Sequence, residues 1–385
     1  MTEVVERLRA RLWPRPQRMS ATSGPGPRTS ALGAALREHA ADLPPEGYRL
    51  SLTAEGARLL ASDDSGARHG RATLARMERA ARALRLTSLP ALVLEGAPDL
   101  AWRGAMFDVS RDKVPRTETV DACLERLATF GSNEAQLYFE HAFAYSGAES
   151  VWRDASPFTT AEVRALDARC AELGIELVPN QQSFGHLHRW LRHEPWRRLA
   201  EVPDGIEHAF SLEKEPYGLC ATDPASLEFL AGLYDELLPC FRSRRFHVGL
   251  DEAVDLGKGR SREACEARGR GALYAEFMRS VHELVRERGR RMMFWADELE
   301  SAGDAARDLP RDAIACVWGY EAGHPFAERA APFARAGLDV VLCPGTSSWQ
   351  SIGGRTRNLH AHLAAAARGG GGGRPRRLMG GGRGG

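Results

Sequence analysis

The run Phe246-His247-Val248-Gly249-Leu250-Asp251-Glu252 carries a short apolar strand pattern straight into two adjacent carboxylates. Two carboxylates that close cannot both ionise cheaply away from water, so one of them is expected to hold its proton at neutral pH. A proton donor beside a fixed negative charge is the equipment needed to cleave a glycosidic bond. The same two residues could instead open the next helix, because acids are favoured in a first helical turn. Taken alone, the pair does not separate these two roles.

Positioning such a pair takes a sheet, and the chain is patterned for one. Short apolar runs at 105–109, 135–139, 175–179, 246–250, 292–295, 314–318 and 340–343 alternate with helical periodicity at 117–130, 159–173, 225–241 and 272–288. Strands alternating with helices long enough for right-handed crossovers signify a parallel sheet wrapped in helices. Seven such βα units predict an α/β fold of the (β/α)8 barrel type whose eighth unit is missing or unreadable. Ahead of them, the alternation at 48–53, a polar turn and the helical periodicity at 72–84 predict a small α+β domain. The expected divisions are an N-terminal extension and linker (1–46), the small α+β domain (47–98), the barrel (99–367) and a Gly/Arg-rich disordered tail (368–385). Within the first of these, residues 20–28 are rich in Ser, Gly and Pro and read as a flexible linker behind a short leading helix.

Composition narrows the partners. The 385 residues are 43% hydrophobic and 27% charged, with a net charge of +1, and opposite charges are interspersed. Nothing in that balance steers a polyanion, which argues against nucleic acid or an anionic membrane as partner. Seven cysteines without C-x-x-C spacing read as reduced thiols. No run is long and apolar enough to span a bilayer and none resembles a leader peptide, so a cytoplasmic location is expected.

In a barrel of this kind the site gathers at the C-terminal strand ends. Those ends carry Asp108-Val109-Ser110-Arg111, Glu140-His141, Asn180-Gln181-Gln182 with Gly185-His186-Leu187-His188, then Asp251-Glu252, Trp295-Ala296-Asp297-Glu298, Trp318-Gly319-Tyr320-Glu321 and Ser347-Ser348-Trp349. Arginine and acids that grip hydroxyls, with tryptophans that stack on sugar faces, make a carbohydrate pocket. Each residue also has a plainer role open to it: Arg111 as a surface arginine, Trp295 and Trp318 as core fillers, Asp297 and Glu298 as helix caps. His186 and His188 have no third ligand at helical or strand spacing, so neither a metal nor another cofactor is expected.

Together these residues resemble the family 20 glycoside hydrolases, the β-N-acetylhexosaminidases, and more closely a bacterial branch in which the second strand ends in Tyr-Phe-Glu-His. The likeness covers roughly residues 47–363. It is carried by Arg103-Gly104-Ala105-Met106-Phe107-Asp108-Val109-Ser110-Arg111, by the His-Val-Gly-Leu-Asp-Glu run, and by Cys343-Pro344-Gly345-Thr346-Ser347-Ser348-Trp349 with Gly353-Gly354-Arg355. Gly66-Ala67-Arg68-His69-Gly70 in the small domain looks like the corresponding part of the domain that precedes the barrel in that family. The resemblance implies exo-acting hydrolysis of terminal N-acetyl-β-hexosamine by a substrate-assisted retaining mechanism. In it Asp251 orients the acetamido group and Glu252 is the acid/base. Arg111 binds sugar hydroxyls, Glu140 and His186 tune and line the site, and Trp295, Trp318, Tyr320 and Trp349 wall the pocket.

The likeness ends before the tail. Residues 369–385 hold ten glycines in 17 positions, mixed with Arg and Pro, where the family continues into an eighth strand. Such a composition is not expected to form a strand or bury a core, and it reads as a frameshifted or truncated terminus. An open barrel with exposed edges follows, and with it the alternative of an inactive or merely sugar-binding remnant. The choice between N-acetylglucosamine and N-acetylgalactosamine, and the oligomeric state, are not encoded legibly.

Overall fold

The computed structural model describes residues 2–29, 32, 36–111, 113–209, 211–300, 309–346, 355–369 and 377–382. The chain divides into two units, Met1–Ala101 with Glu125–Gly131, and Trp102–Leu124 with Ser132–Gly385.

In the first unit a leading helix, Thr2–Arg9, precedes strands β1 (Arg18–Arg28), β2 (Leu36–His39), β3 (Tyr48–Thr53), β4 (Gly56–Ala61) and β5 (Ser88–Gly96). They form one sheet in the order β1-β5-β3-β4-β2. The helix Asp64–Ala83 starts where the Asp63 side chain accepts from the Gly66 amide at 2.7 Å, an N-cap that satisfies one orphan donor. Leu74, Met77 and Ala81 of that helix share a core with Leu50, Leu52, Leu59, Leu92 and Leu94 of the sheet.

This corrects the expected divisions. Residues 20–28 are not a linker but most of β1, and the small domain begins near the N-terminus instead of at residue 47. β1 is an edge strand with irregular register between Ala21 and Pro25 and again between Pro25 and Arg28. An edge is where a strand tolerates proline, because one side of its ladder needs no amide donors.

The second unit contains eight further strands: β6 (Trp102–Asp108), β7 (Glu134–Phe139), β8 (Glu176–Gln181), β9 (Arg245–His247), β10 (Arg291–Trp295), β11 (Ile314–Gly319), β12 (Asp339–Pro344) and β13 (Arg377–Gly382). All pair in parallel and close into a barrel. The expected incomplete barrel is therefore corrected. The eighth strand comes from the glycine-rich tail, whose Arg377 to Gly382 pair in register with Trp102 to Phe107. Ladder hydrogen bonds need only backbone, so Gly380, Gly381 and Gly382 can complete a sheet that their composition would not initiate.

The side chains that β13 does carry are placed where closure needs them. Met379 is buried in the barrel interior with Met106, Val178, Met293, Ile314, Cys316 and Val341. Arg377 reaches Asp339 of β12 at 2.5 Å and lies over the Trp102 ring of β6, 4.2 Å from its centroid. The last strand is thus fixed on both sides by a charge pair and a cation–π contact.

Helices Thr117–Thr129, Thr160–Leu173, Pro224–Leu237, Arg270–Glu287, Phe326–Arg335 and Thr356–Gly369 follow strands β6, β7, β8, β9, β11 and β12. The one after β7 opens with a reciprocal capping box between Thr159 and Glu162. No helix among the described residues is long and apolar enough to cross a membrane. All seven cysteines are free thiols.

Candidate active site

The two carboxylates do not lie in a strand. β9 ends at His247, and the chain then turns through Gly249 (φ +72°), Leu250 (φ +73°) and Glu252 (φ +49°), three left-handed residues within four. Side chains with a Cβ avoid that region at a cost of order 1 kcal/mol each, so the turn is strained and must be held from outside. At Gly249 a Cβ would lie 2.0 Å from Gln182 Oε1, so any side chain there would have to displace that amide. The turn does what a strand cannot: it brings consecutive residues to the same opening instead of alternating them across the sheet.

A second acidic pair supplies the hold. Asp297 Oδ2 accepts from the Glu252 amide at 3.1 Å, and Glu298 Oε1 accepts from the Ala253 amide at 2.8 Å. Glu298 is itself paired with Arg270 at 2.6 Å. Expected only to cap their own short helix, Asp297 and Glu298 instead bind the backbone beneath the first pair. Tyr274 adds a third tie by donating to the Leu250 carbonyl at 2.8 Å.

His186, also left-handed (φ +57°) and fully buried, joins the two carboxylates. Its Nε2 is 2.9 Å from Glu252 Oε2 and 3.4 Å from Asp251 Oδ2. The loop that carries it passes so close that a Cβ on Gly185 would stand 2.8 Å from the Asp251 carbonyl oxygen. Burial opposes a charge on this imidazole, yet Asp251, aided by Glu252, lifts it to about 9. One atom of each of His186, Asp251 and Glu252 lies within 4.8 Å of the others, a spacing that could also hold a cation. A cation there would compete with the proton for the imidazole nitrogen.

Asp251 is buried and accepts from Gln182 Nε2 at 2.5 Å. Burial works against its charge, but His186, Gln182 and Arg111 hold its carboxyl well below the usual range. The carboxyl that is pushed up is a different one. Enclosure, joined by the charge of Asp251, lifts Asp297 to about 8. The retained proton was expected within the Asp251-Glu252 pair; the carboxyl that is raised is instead Asp297, across from Asp251, which is held low.

Arg111 anchors the other side. Its guanidinium donates to Asp108 Oδ2 at 2.8 Å and to the Tyr138 hydroxyl at 2.9 Å, and pairs with Glu140 Oε1 at 2.9 Å. The Tyr138 hydroxyl donates to Glu140 Oε1 and accepts from Gln182 Nε2, both at 2.9 Å, which links the arginine cluster to Asp251. Burial alone would raise Glu140, but Arg111 and His186 outweigh it and hold the carboxyl at about 2. Glu140 and His186 lie under the site and do not form its surface.

The surface itself is a cavity of about 500 Å³, open solvent included, bordered by Arg111, Tyr138, Asp251, Trp295, Trp318 and Tyr320, with Met106, Cys343 and Met379 at its floor. Trp318 donates its Nε1–H to Asp297 Oδ1 at 3.0 Å and packs against Tyr320 with ring centroids 5.0 Å apart. Trp295 rests on the His247 ring at 4.2 Å. Glu252 stands at the rim with its side chain 26% exposed.

Of the residues singled out from sequence, Arg111, Glu140, His186, Asp251, Glu252, Trp295, Trp318 and Tyr320 gather here. Trp349 lies outside the described residues. Asp108, Gln182 and Asp297, named at the strand ends but given no part in the pocket, belong to the same constellation, and so does Tyr138. Each stood at or just past a strand end, which was the signal available.

Residues 100–360 match the model of the glycosyl hydrolase family 20 catalytic domain, and residues 3–95 match domain 2 of the same family. A beta-hexosaminidase of Akkermansia muciniphila is 26% identical over 275 residues, 65% of this chain and 55% of that protein. A beta-hexosaminidase of Vibrio furnissii is 25% identical over 338 residues, 79% of this chain and 52% of that one. The chain thus spans about half the length of these two curated relatives. The solved GH20 beta-N-acetylhexosaminidase of Streptomyces coelicolor superposes with a TM-score of 0.66 at 21% identity, covering 88% of this chain and 74% of the other.

Proposed function

Because the chain belongs to glycosyl hydrolase family 20, we propose that it hydrolyses terminal N-acetyl-β-hexosaminides, acting from the non-reducing end with net retention. The observation that carries this reading is the left-handed turn after β9. It sets an ionised, buried Asp251 into the wall of an aromatic cavity and leaves Glu252 at its rim, with His186 between them.

The chemistry follows from that division. The substrate's 2-acetamido group enters between Trp295, Trp318 and Tyr320, and its carbonyl oxygen attacks the anomeric carbon. Asp251 accepts the amide N–H and offsets the positive charge that develops as the oxazolinium ring forms. Glu252 donates its proton to the departing glycosidic oxygen; it then takes one from the water that opens the ring, restoring the β-anomer. The hydrogen bond between His186 and Glu252 keeps a proton at this position in either arrangement, on nitrogen or on oxygen. Arg111 turns its guanidinium to the sugar hydroxyls while Asp108, Tyr138 and Glu140 fix its plane.

The test uses a chromogenic N-acetyl-β-glucosaminide with the wild-type protein, Glu252→Gln and Asp251→Asn. Turnover by the wild type and its loss in both variants is the expected result. Equal rates in all three proteins would remove the assignment.

A further inference from the structure

The contact pattern of Asp297 is unusual for an acid opening a short helix. Its two oxygens are committed to two different parts of the site, neither of them in its own helix. One oxygen accepts from the backbone of Glu252 at 3.1 Å and the other from the indole of Trp318 at 3.0 Å. Glu252 is the residue at the rim and Trp318 a wall of the cavity.

We propose that Asp297 is a positioning residue that sets the aim of the acid/base Glu252 and the placement of the wall Trp318 through a single carboxyl, so that closure of the wall on an acetamido group and alignment of the proton donor are coupled. This inference rests on the hydrolase reading above and extends it to a residue that would touch no substrate.

Three features of the site support it. Glu252 sits at φ +49°, a backbone state that needs external restraint, and Asp297 bonds the amide of that same residue. The neighbouring amide is held independently by Glu298, itself anchored by Arg270, so Asp297 is not needed merely to keep the loop in place. Enclosure and the nearby charge of Asp251 raise the Asp297 carboxyl to about 8. Asp251, held low, is the carboxylate that borders the cavity, and Asp297 stands behind it with both oxygens accepting hydrogen bonds.

The coupling makes a signature that a purely structural residue would not give. In Asp297→Ala, proton donation suffers most where the leaving group needs it. The kcat on an alkyl N-acetyl-β-glucosaminide should fall roughly 100-fold, the scale of a small misplacement in a reacting group. On the p-nitrophenyl glycoside, whose phenolate leaves with little protonation, the fall should be about 10-fold. Asp297→Asn keeps one acceptor and should fall between. Trp318→Phe, which removes the indole donor but keeps a ring, should lower kcat/KM in the wild-type background and change little in the Asp297→Ala background. Equal losses on the two glycosides, or additive effects in the double variant, would overturn the proposal.

Tryptophan emission of the full chain supplies an arm that does not depend on turnover. Asp297→Ala should shift the emission, and Trp318→Phe should abolish that shift; no shift would overturn the proposal. If the wild-type protein cleaves neither glycoside, the hydrolase reading fails by itself, and the emission result still decides whether Asp297 holds the wall.

Discussion

The two ends of the barrel are both lined with buried and half-buried charge, but they are built on opposite rules. At the N-terminal end the charges sit on the first residues of the strands: Glu134, Glu176, Arg245, Arg291, Asp339 and Arg377, with Trp102 opening β6. Three arginines meet three acids. Arg245 reaches Glu134 and Glu176 at 2.5 Å, Arg291 and Arg377 reach Asp339 at 2.7 and 2.5 Å, and the guanidinium groups of Arg245 and Arg377 each lie 4.2 Å from the centroid of Trp102. At the C-terminal end Asp108 and Glu140 pair with Arg111, Asp251 and Glu252 with His186, and Asp297 accepts from the Glu252 amide and the Trp318 indole.

The balanced end displaces its ionisations only in the ordinary sense, lowering Glu176 and Asp339 and raising Arg245. The unbalanced end sends carboxyls both ways, Glu140 down to about 2 and Asp297 up to about 8, and lifts His186 to about 9. Matched charges close a barrel; a surplus of one sign stores protons where chemistry can use them.

Variants at each end should therefore fail differently. Glu252→Gln removes one of the surplus acids. Its kcat should fall about 1000-fold, within the range of a lost general acid/base, while its melting temperature holds or rises because like-charge crowding is relieved. A large loss of stability there would erase the contrast. Glu134→Ala removes a matched acid whose side chain is 3% exposed and leaves Arg245 with a single partner. It should cost about 3 kcal/mol, as breaking a buried pair does, and lower the melting temperature by roughly 4–5 °C, with kcat unchanged at low temperature. Calorimetry beside turnover measures both.

Gly249→Ala tests the strain in the turn. A methyl there must displace Gln182, which also bonds Asp251, so a loss of about 2 kcal/mol is expected together with reduced kcat. Stability without a drop in kcat would show that the turn tolerates a looser fit than its contacts imply.

The gentlest probe is pH. His186 is raised in the folded state, so its contribution is complete below about 6.5 and is lost as pH rises through about 9. Asp297, raised as well, acts in the same direction up to about 8. Glu176 and Asp339 are lowered, so the other end loses stability only towards acid. Urea midpoints should fall between pH 6.5 and 9, and His186→Gln should flatten that fall. An unchanged slope would move the alkaline loss away from His186.

What could be read from the sequence followed how local the signal was. The Asp251-Glu252 pair at a strand end, the apolar strand runs and the helices between them were legible because each is written in consecutive residues. The position of the strand end was not: β9 stops at His247, since a left-handed turn leaves no mark in hydropathy. Gln182 and Asp297 were passed over because their partners lie 69 and 45 residues away. Seen singly, either is an ordinary polar residue after a strand. β1 and β13 were missed for a shared reason. Glycine and proline weaken a strand that must form alone, but not one laid against an existing ladder, where Trp102 to Phe107 already offers the partner groups for Arg377 to Gly382.

The central claim is that the substrate's own acetamido oxygen is the nucleophile, with Asp251 beside it as an ionised support. It is tested most directly by a series of p-nitrophenyl β-glucosaminides bearing N-acetyl, N-difluoroacetyl and N-trifluoroacetyl groups. Fluorine withdraws electrons from the amide oxygen, so kcat should fall steeply along the series. A rate indifferent to fluorination, with a glycosyl group trapped on Asp251 or Glu252, would instead make a protein carboxylate the nucleophile and contradict the account.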